Sequence, residues 1–456
     1  MAGLAENDRV STIGEGGAKV RLFPRWQRGR LLTRRTTVHL VLFFALLIGP
    51  WIDIGDHPAI RFDIPGRRMY LWGLTLFATD GAYLLFLFGS LVFSVFLFTA
   101  LFGRAWCGWS CPQTVFLESL IRPIERLIDG NVARQKKLHA APWSPAKLLR
   151  RALKHGAFLV VAGAIATTVV AYFLGREGIW EAQRDPWSHP AGTMSFLVLT
   201  GLLMFDFSWF REQTCIVVCP YGRFQSVLLD ADSLGVGYDE RRGEPRGRAK
   251  DPNAGDCVDC KACVQVCPTG IDIRKGGQME CIQCMACIDA CNGVMTKLHR
   301  PEGLIRLTSE RALEGKRTRL LRARVVAYAV GLVGVIVAFG WTVSFRAPLE
   351  LNLGRQPSAP FVTLPDGRVQ NAMRLRVSNR GDDPVVVTLG LAEETSLELI
   401  SPLERLEVPA GEVRHWPFFV AFEPTAGVET LNLRVAAEGA GTETLQIDLM
   451  RAEEAT

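Results

Sequence analysis

Between Cys257 and Cys291 the chain reads CVDCKACVQVCPTGIDIRKGGQMECIQCMACIDAC. Eight of the twelve cysteines fall here, in two runs of the form C-x2-C-x2-C-x3-C. That is the spacing of a bacterial-type ferredoxin with two 4Fe–4S clusters. Three closely spaced thiolates wrap three corners of one cubane, and the fourth comes from the other run. One cluster is therefore expected on Cys257, Cys260, Cys263 and Cys291, the other on Cys281, Cys284, Cys287 and Cys267. Pro268 follows the first run as the pattern expects, and Asn292 replaces that proline in the second. Zinc sites show two separated C-x2-C pairs, and disulfides need an oxidising compartment. Two intact quartets favour clusters over both.

The remaining cysteines form two C-x3-C-P motifs, Cys107/Cys111 and Cys215/Cys219, so none is left for a structural bridge. This points to a reducing compartment. The motifs look like an internal repeat: an apolar span, a short polar step, C-x3-C-P, then an apolar-patterned segment. Thiols four apart share one helical face, but Pro112 and Pro220 push Cys111 and Cys219 towards extended backbone. Together the four would make a soft thiolate site for Cu(I), zinc or an iron–sulfur cluster. A dithiol redox pair and four inert buried cysteines are the other readings.

Of 456 residues, 48% are apolar and 21% charged, with a net charge of +6. The apolar residues gather in blocks long enough to span a bilayer. The expected spans are Thr36–Ile54, Gly81–Phe102, His155–Leu174, Ala191–Phe210 and Val325–Phe345. Basic residues flank them rather than forming a nucleic-acid surface. By the positive-inside rule, the basic arm up to Arg35 and the loop with Arg134, Lys136, Lys137, Lys147, Arg150, Arg151 and Lys154 lie inside. The loop before Pro190, with only Arg176 and Arg184, lies outside. All twelve thiols then face the cytoplasm, and the tail from Arg346 is periplasmic. Asp206, near the inner end of the fourth span, is either functional or simply hydrated.

Met69–Thr79 is too short to cross and is expected at the membrane interface. After Pro112, the recurrence of Phe116, Leu120, Ile124, Leu127 and Ile128 reads as an amphipathic helix on the membrane surface; a soluble core helix shows the same periodicity. Tyr238–Asp256, rich in Arg, Gly, Pro and Asp, reads as a flexible linker. The tail alternates short strands (MRLRVSN, PVVVTLGL, SLELI, VRHWPFFVAF, ETLNLRVAA, TLQIDLM) with turn residues such as Asn379-Arg380-Gly381-Asp382, the pattern of an all-β sandwich. His415 and Trp416 there read as surface or packing residues. His39 and His155 begin at similar depth and could bracket a haem, but each is as readily explained by local packing. No G-x-G-x-x-G follows a strand and opens a helix, so no nucleotide or flavin site is read.

The expected fold is a mainly α polytopic membrane protein of about five transmembrane helices, with a ferredoxin-like two-cluster insertion and a C-terminal, immunoglobulin-like β sandwich. Its parts are a cytoplasmic basic arm (1–35), a four-span membrane domain (36–238), a cluster domain with its linkers (239–324), a fifth span (325–345) and a periplasmic β domain (346–456).

WCGWSCPQTVFLE, CIVVCPYGRFQ, the double quartet, the five-span plan and the β-rich tail together resemble the CcoG/FixG/RdxA family of cytochrome c oxidase accessory proteins. The resemblance implies a bacterial inner-membrane iron–sulfur protein that reduces Cu(II) to Cu(I) for a cbb-type oxidase. On this reading an unknown cytoplasmic donor reduces the clusters, copper or a further cluster sits at Cys107, Cys111, Cys215 and Cys219, and oxidase assembly factors are the expected partners. It leaves a homo-oligomer open. NapH-like quinol dehydrogenases share the C-x3-C-P and ferredoxin motifs but lack the fifth span and outer β domain. A non-enzymatic copper carrier or scaffold is the third reading.

Overall fold

The computed structural model describes residues 12, 20–55, 57–66, 68–77, 81–345, 347–356, 361–381, 383–392, 397–423, 430–439 and 441–450. Most of the basic arm before residue 20, Asp80 and Asp382 lie outside them. The chain divides into two units, Met1–Phe339 and Gly340–Thr456.

Five helices in the described residues are long and apolar enough to cross a membrane. Helix α1 is Arg30–Ile48 and α2 is Gly81–Phe102. Between these two, Ile60–Asp63 (β1), Arg68–Leu71 (β2) and Leu74–Phe77 (β3) form an antiparallel sheet. Part of it is the stretch Met69–Thr79, expected at the membrane interface. Its first nine residues are a hairpin whose turn, Trp72-Gly73, has φ of 51° and 85°, the positive values that a tight two-residue turn needs.

Short helices α3 (Ala105–Trp109) and α4 (Pro112–Phe116) follow. A π-helical turn, Leu117–Ile121, then leads into α5 (Arg122–Asp129). Their apolar stripe has protein to cover it rather than lipid. Val115, Phe116, Leu117 and Ile121 are buried against Phe158, Ile165 and Phe207, with Leu120 and Ile124 packed alongside. Leu127 alone of the stripe points away, 86% exposed. The surface-helix reading is thereby replaced by a core one.

Helix α6 runs over Pro145–Arg184. Ser144 Oγ accepts from Lys147 N, and Pro145 opens the first turn, a favoured start. At Gly175 φ is 78° and the helix kinks. Arg61 fills the space a side chain would need there and donates to Leu174 O, so only glycine fits. The helix starts ten residues before the expected span His155–Leu174, so the basic residues Lys147 to Lys154 form its first turns. Helix α7 is Pro190–Phe205, continued by a π-helical turn, Asp206–Phe210. Helix α8, Pro220–Leu228, follows the second C-x3-C-P motif.

Strand β4 (Gly235–Tyr238) pairs with β5 (Ile305–Thr308), closing the cluster segment at its base. The stretch expected to be a flexible linker is instead folded. Arg242 pairs with Asp256 at 2.7 Å and donates to Pro301 O at 2.8 Å. Gly255 lies so close to the backbone of Arg242 and Gly243 that a Cβ would stand 2.7 Å from the latter's carbonyl carbon. Helix α9 (Ala286–Lys297) carries the end of the second cysteine run, and α10 (Ala323–Ser344) is the fifth long helix.

Helix α1 has no cap of its own, because Gly29 stands at the N-cap position. Asp289 on α9 supplies one, accepting from Leu31 N at 3.3 Å and Leu32 N at 2.8 Å. Its carboxyl lies where a Cβ on residue 29 would be. A carboxylate here also meets the positive end of the helix dipole.

The second unit is an antiparallel sandwich. Its strands are β6 (Leu349–Arg355), β7 (Phe361–Thr363), β8 (Val369–Asn379), β9 (Val385–Leu391), β10 (Glu398–Ile400), β11 (Arg405–Val408), β12 (Val413–Phe422), β13 (Thr430–Ala437) and β14 (Gly441–Asp448). One sheet has the order β10-β12-β8-β6 with β7 also on β8, the other β11-β9-β13-β14. Alternate residues point inward. Met373, Leu375 and Val377 meet Trp416, Phe418 and Val420 of the paired strand, and Leu431, Leu433 and Val435 face them from the other sheet. Trp416 is fully buried and donates to Ser401 Oγ at 2.9 Å, whereas His415 is exposed. Strands β6, β7 and β11 were not among those expected.

Candidate functional site

Each cysteine run folds around left-handed residues at matching places. Asp259 and Lys261 flank Cys260, and Gln283 and Met285 flank Cys284, all with φ between 49° and 63°. None is glycine, so the conformation carries strain that the surroundings must hold. Alternating backbone of this kind turns successive N–H groups inward as a nest for an anionic group, a feature of iron–sulfur sites. No residue type in these positions announces it.

One cavity is lined by Cys257, Cys260, Cys263 and Cys291. A second is lined by Cys267, Cys281, Cys284 and Cys287, with Cys263 at its edge. The fourth cysteine of each run thus faces the other run's first three. Burial pushes the Cys281 and Cys291 thiols up to about 12, and nearby thiols add to this. Burial raises Cys287 well above its ordinary range, with Cys284, Cys281 and Cys267 contributing. Four thiolates in so dry a place need a compensating cationic core, and the residues present fit a 4Fe–4S cluster in each cavity. Among the described residues no three His, Cys, Asp or Glu side chains close around a point suited to one ion. Asn292 also has its explanation. It lies inside α9, where proline would break the helix, and its Oδ1 accepts from Gly303 N at 3.0 Å.

The crossed arrangement carries a direct expectation. Cys267→Ser will remove or convert the cluster resting on Cys281, Cys284 and Cys287 and leave the other largely intact. Electron paramagnetic resonance of the reduced variant separates the two. Loss confined to the cluster on Cys257, Cys260 and Cys263 would contradict the arrangement.

The two C-x3-C-P motifs meet. Cys107 sits on α3, and Cys111 is extended before Pro112 (φ −64°, ψ 127°). Cys215 lies in a π-helical turn, Thr214–Val218, and Cys219 is extended before Pro220 (φ −65°, ψ 110°). Burial, then Cys111, pushes the Cys107 thiol up to about 12. Burial, then Cys111, Cys107 and Cys219, raises Cys215. Cys107 Sγ donates to Gln225 Oε1 at 3.2 Å. Gln225 is fully buried. Asp206 is not merely hydrated: it accepts from Thr214 Oγ1 and from Gln113 Nε2 (2.7 Å) beside these motifs.

The thiol group abuts the second cysteine run. Gly108, between Cys107 and Cys111, is so close to it that a Cβ would stand 2.4 Å from Ile282 O and 2.9 Å from Cys284 N. Trp109 Nε1 donates to Gln283 O at 3.3 Å. A small cavity joins Cys215 to Pro268, Thr269 and Ile282. Arg35, 2% exposed, donates from Nε to Gly108 O at 2.8 Å. His39 lies 3.2 Å from the same oxygen and 2.7 Å from Ser119 Oγ, while His155 is 3.1 Å from Ser208 Oγ. Both histidines have local partners, which weakens the haem reading. Gly108, Arg35 and Gln225 had no signal in the sequence, since their importance lies in approach and burial.

Spans, nests and paired quartets together define a multi-pass membrane protein that carries iron–sulfur electron-transfer centres. A family model described as a 4Fe-4S dicluster domain matches residues 210–310, and one described as a 4Fe-4S binding domain matches 84–131. A third, the IG-like fold at the C-terminus of FixG, matches 339–449. Protein RdxA of Cereibacter sphaeroides is 36% identical over 377 residues, covering 79% of this chain and 80% of its own. RdxB of the same organism is 31% identical over 442 residues, 91% and 92% of the two chains. The nitrogen fixation protein FixG of Rhizobium meliloti is 34% identical over 406 residues, 79% and 76%. The chain belongs to the FixG/RdxA family.

Proposed function

We propose that the chain is a metalloreductase of the inner membrane that converts Cu(II) to Cu(I) for assembly of a cbb-type cytochrome oxidase. The carrying observation is the contact of Gly108 with Ile282 and Cys284, which sets the four thiols against a cluster-ligand run. Clusters held by the two quartets supply single electrons when bound. The balance is one electron per ion, Cu(II) to Cu(I), with the thiols acting as ligands. Soft thiolate favours Cu(I), the reduced product, and Gln225 holds Cys107 in place. A cytoplasmic reductant supplies the electron, and oxidase assembly factors accept the ion. The basic flanks support a cytoplasmic side for the thiols and a periplasmic one for the sandwich.

A second reading has one observation in its favour. The family model over 84–131 is described as a 4Fe-4S binding domain and spans Cys107 and Cys111. On that reading the four thiols hold a further cluster, and copper is reduced elsewhere or not at all.

Two measurements test the proposal. Anaerobically reduced protein mixed with Cu(II) and a Cu(I)-specific chelator is expected to form the Cu(I) complex while its iron–sulfur absorbance reoxidises. No Cu(I) signal, with the clusters still reduced, rejects the reductase reading. A periplasm-only reporter is expected to be active after Thr456 and silent after Gly130. The reverse pattern rejects the orientation.

A further inference from the structure

A cavity of about 370 Å³ in the first unit is separate from the cysteine cavities. It is walled by the arm before α1, the first turns of α1, α5, and the two cysteine runs at Val266, Pro268 and Ala286. Ligand sites occupy about 300–1,000 Å³. Its charge is lopsided: six arginines face Glu118, Glu125 and Asp289. The acids are already engaged. Glu125 pairs with Arg211 at 2.7 Å and Arg21 at 2.9 Å, Glu118 with Arg122 at 2.6 Å, and Asp289 caps α1.

Arg25, Arg28 and Arg126 have no carboxylate partner among the described residues. Arg28 and Arg126 lie over the Trp26 ring instead, 5.5 and 5.3 Å from its centroid. Deeper in, Arg35 is 2% exposed and its Nη2 makes no hydrogen bond, approaching Glu118 only to 3.5 Å. Burial holds Arg126 below the ordinary guanidinium range against the opposing pull of Glu118, and Arg122 adds to the lowering. Arg25 and Arg28 are exposed and Arg126 half-buried, so like charges gather beside the buried Arg35 and repel one another, with Glu118 shared between Arg35 and Arg122. An anion with several oxygens relieves them, and the guanidinium fork matches phosphate.

We propose that this cavity is a binding site for a phosphate-bearing ligand, held by Arg25, Arg28, Arg126 and Arg35 with Trp26 alongside. Two sources carry that chemistry. The cavity reaches the first turns of a span, where basic pockets take the head groups of acidic lipids. A soluble phosphorylated cofactor with a planar ring would instead stack on Trp26. The inference stands apart from copper reduction and does not depend on it.

The test uses full-length, cluster-loaded, delipidated protein in neutral detergent. Native mass spectrometry measures binding of dioctanoyl phosphatidylglycerol, of flavin mononucleotide, and of dioctanoylglycerol as a phosphate-free control. The triple variant Arg25→Gln/Arg28→Gln/Arg126→Gln is compared with the parent and with Lys136→Gln/Lys137→Gln/Arg150→Gln, which loses the same charge away from the cavity. Iron content reports whether each variant has folded. The expected result is binding of at least one phosphate probe, weakened about tenfold or more in the cavity triple and unchanged in the control triple. Binding of the lipid alone identifies a head-group site, and of the flavin alone a soluble cofactor. Equal binding of dioctanoylglycerol, or equal affinity in the parent and a folded cavity triple, overturns the proposal.

Discussion

Replacing Cys107, Cys111, Cys215 and Cys219 together by Ser will slow copper reduction by about 100-fold or more, a loss of about 2.7 kcal/mol of transition-state stabilisation. The chelator assay on anaerobically reduced protein reads the rate. Serine is nearly isosteric but a hard ligand, so the variant removes affinity for the soft product while disturbing packing little. The four side chains are half-buried and belong to α3, a π-helical turn and two extended residues. None lines the cavities of the two quartets. Both ferredoxin-type signals are therefore expected to persist. A variant that reduces Cu(II) as fast as the parent would exclude these thiols as the acceptor site. Loss of iron and sulfide equivalent to one further cluster would establish the second reading.

Gly108→Val is expected to have the next largest effect. The new Cβ would meet backbone atoms, Ile282 O at 2.4 Å and Cys284 N at 2.9 Å, which cannot swing aside as a side chain can. Overpacking of this kind costs about 1–3 kcal/mol, and here it is relieved by parting the thiol segment from the cluster-ligand run. Electron transfer across the parted contact is expected to fall about tenfold or more, with iron and sulfide retained. Gly222→Ala in the second motif is the control, because its nearest neighbour would be Cys215 O at an ordinary 3.5 Å. Equal rates in Gly108→Val and the parent would show that this contact is not the route.

Much of this architecture could be read from residue order. Long apolar runs announce spans because a bilayer demands them, and the crossing of the quartets follows from four ligands per cubane. Extended backbone at Cys111 and Cys219 follows from the proline after each. Other features were illegible because they are settled by approach between distant segments. The stripe of Phe116, Leu120 and Ile124 has the same period whether it meets lipid or Phe158 and Phe207. Tyr238–Asp256 has the composition of a linker, yet Arg242 finds both Asp256 and the carbonyl of Pro301. The hairpin of Met69–Phe77 is too short for its alternation to stand out against a nearby span. Gly108 looked like any loop glycine, and Arg35 like one of several flanking charges.

The cap on α1 sets an order in time. Leu31 and Asp289 are 258 residues apart. At about 5–20 residues per second, the acceptor emerges from the ribosome roughly 10–50 s after the amides it serves. The first span is thus made with its amino end unfinished, and that end is completed only by a residue two places beyond Cys287. A chain halted anywhere before Asp289 keeps Leu31 and Leu32 without that acceptor, so the last ferredoxin helix to be synthesised finishes the first helix of the membrane domain.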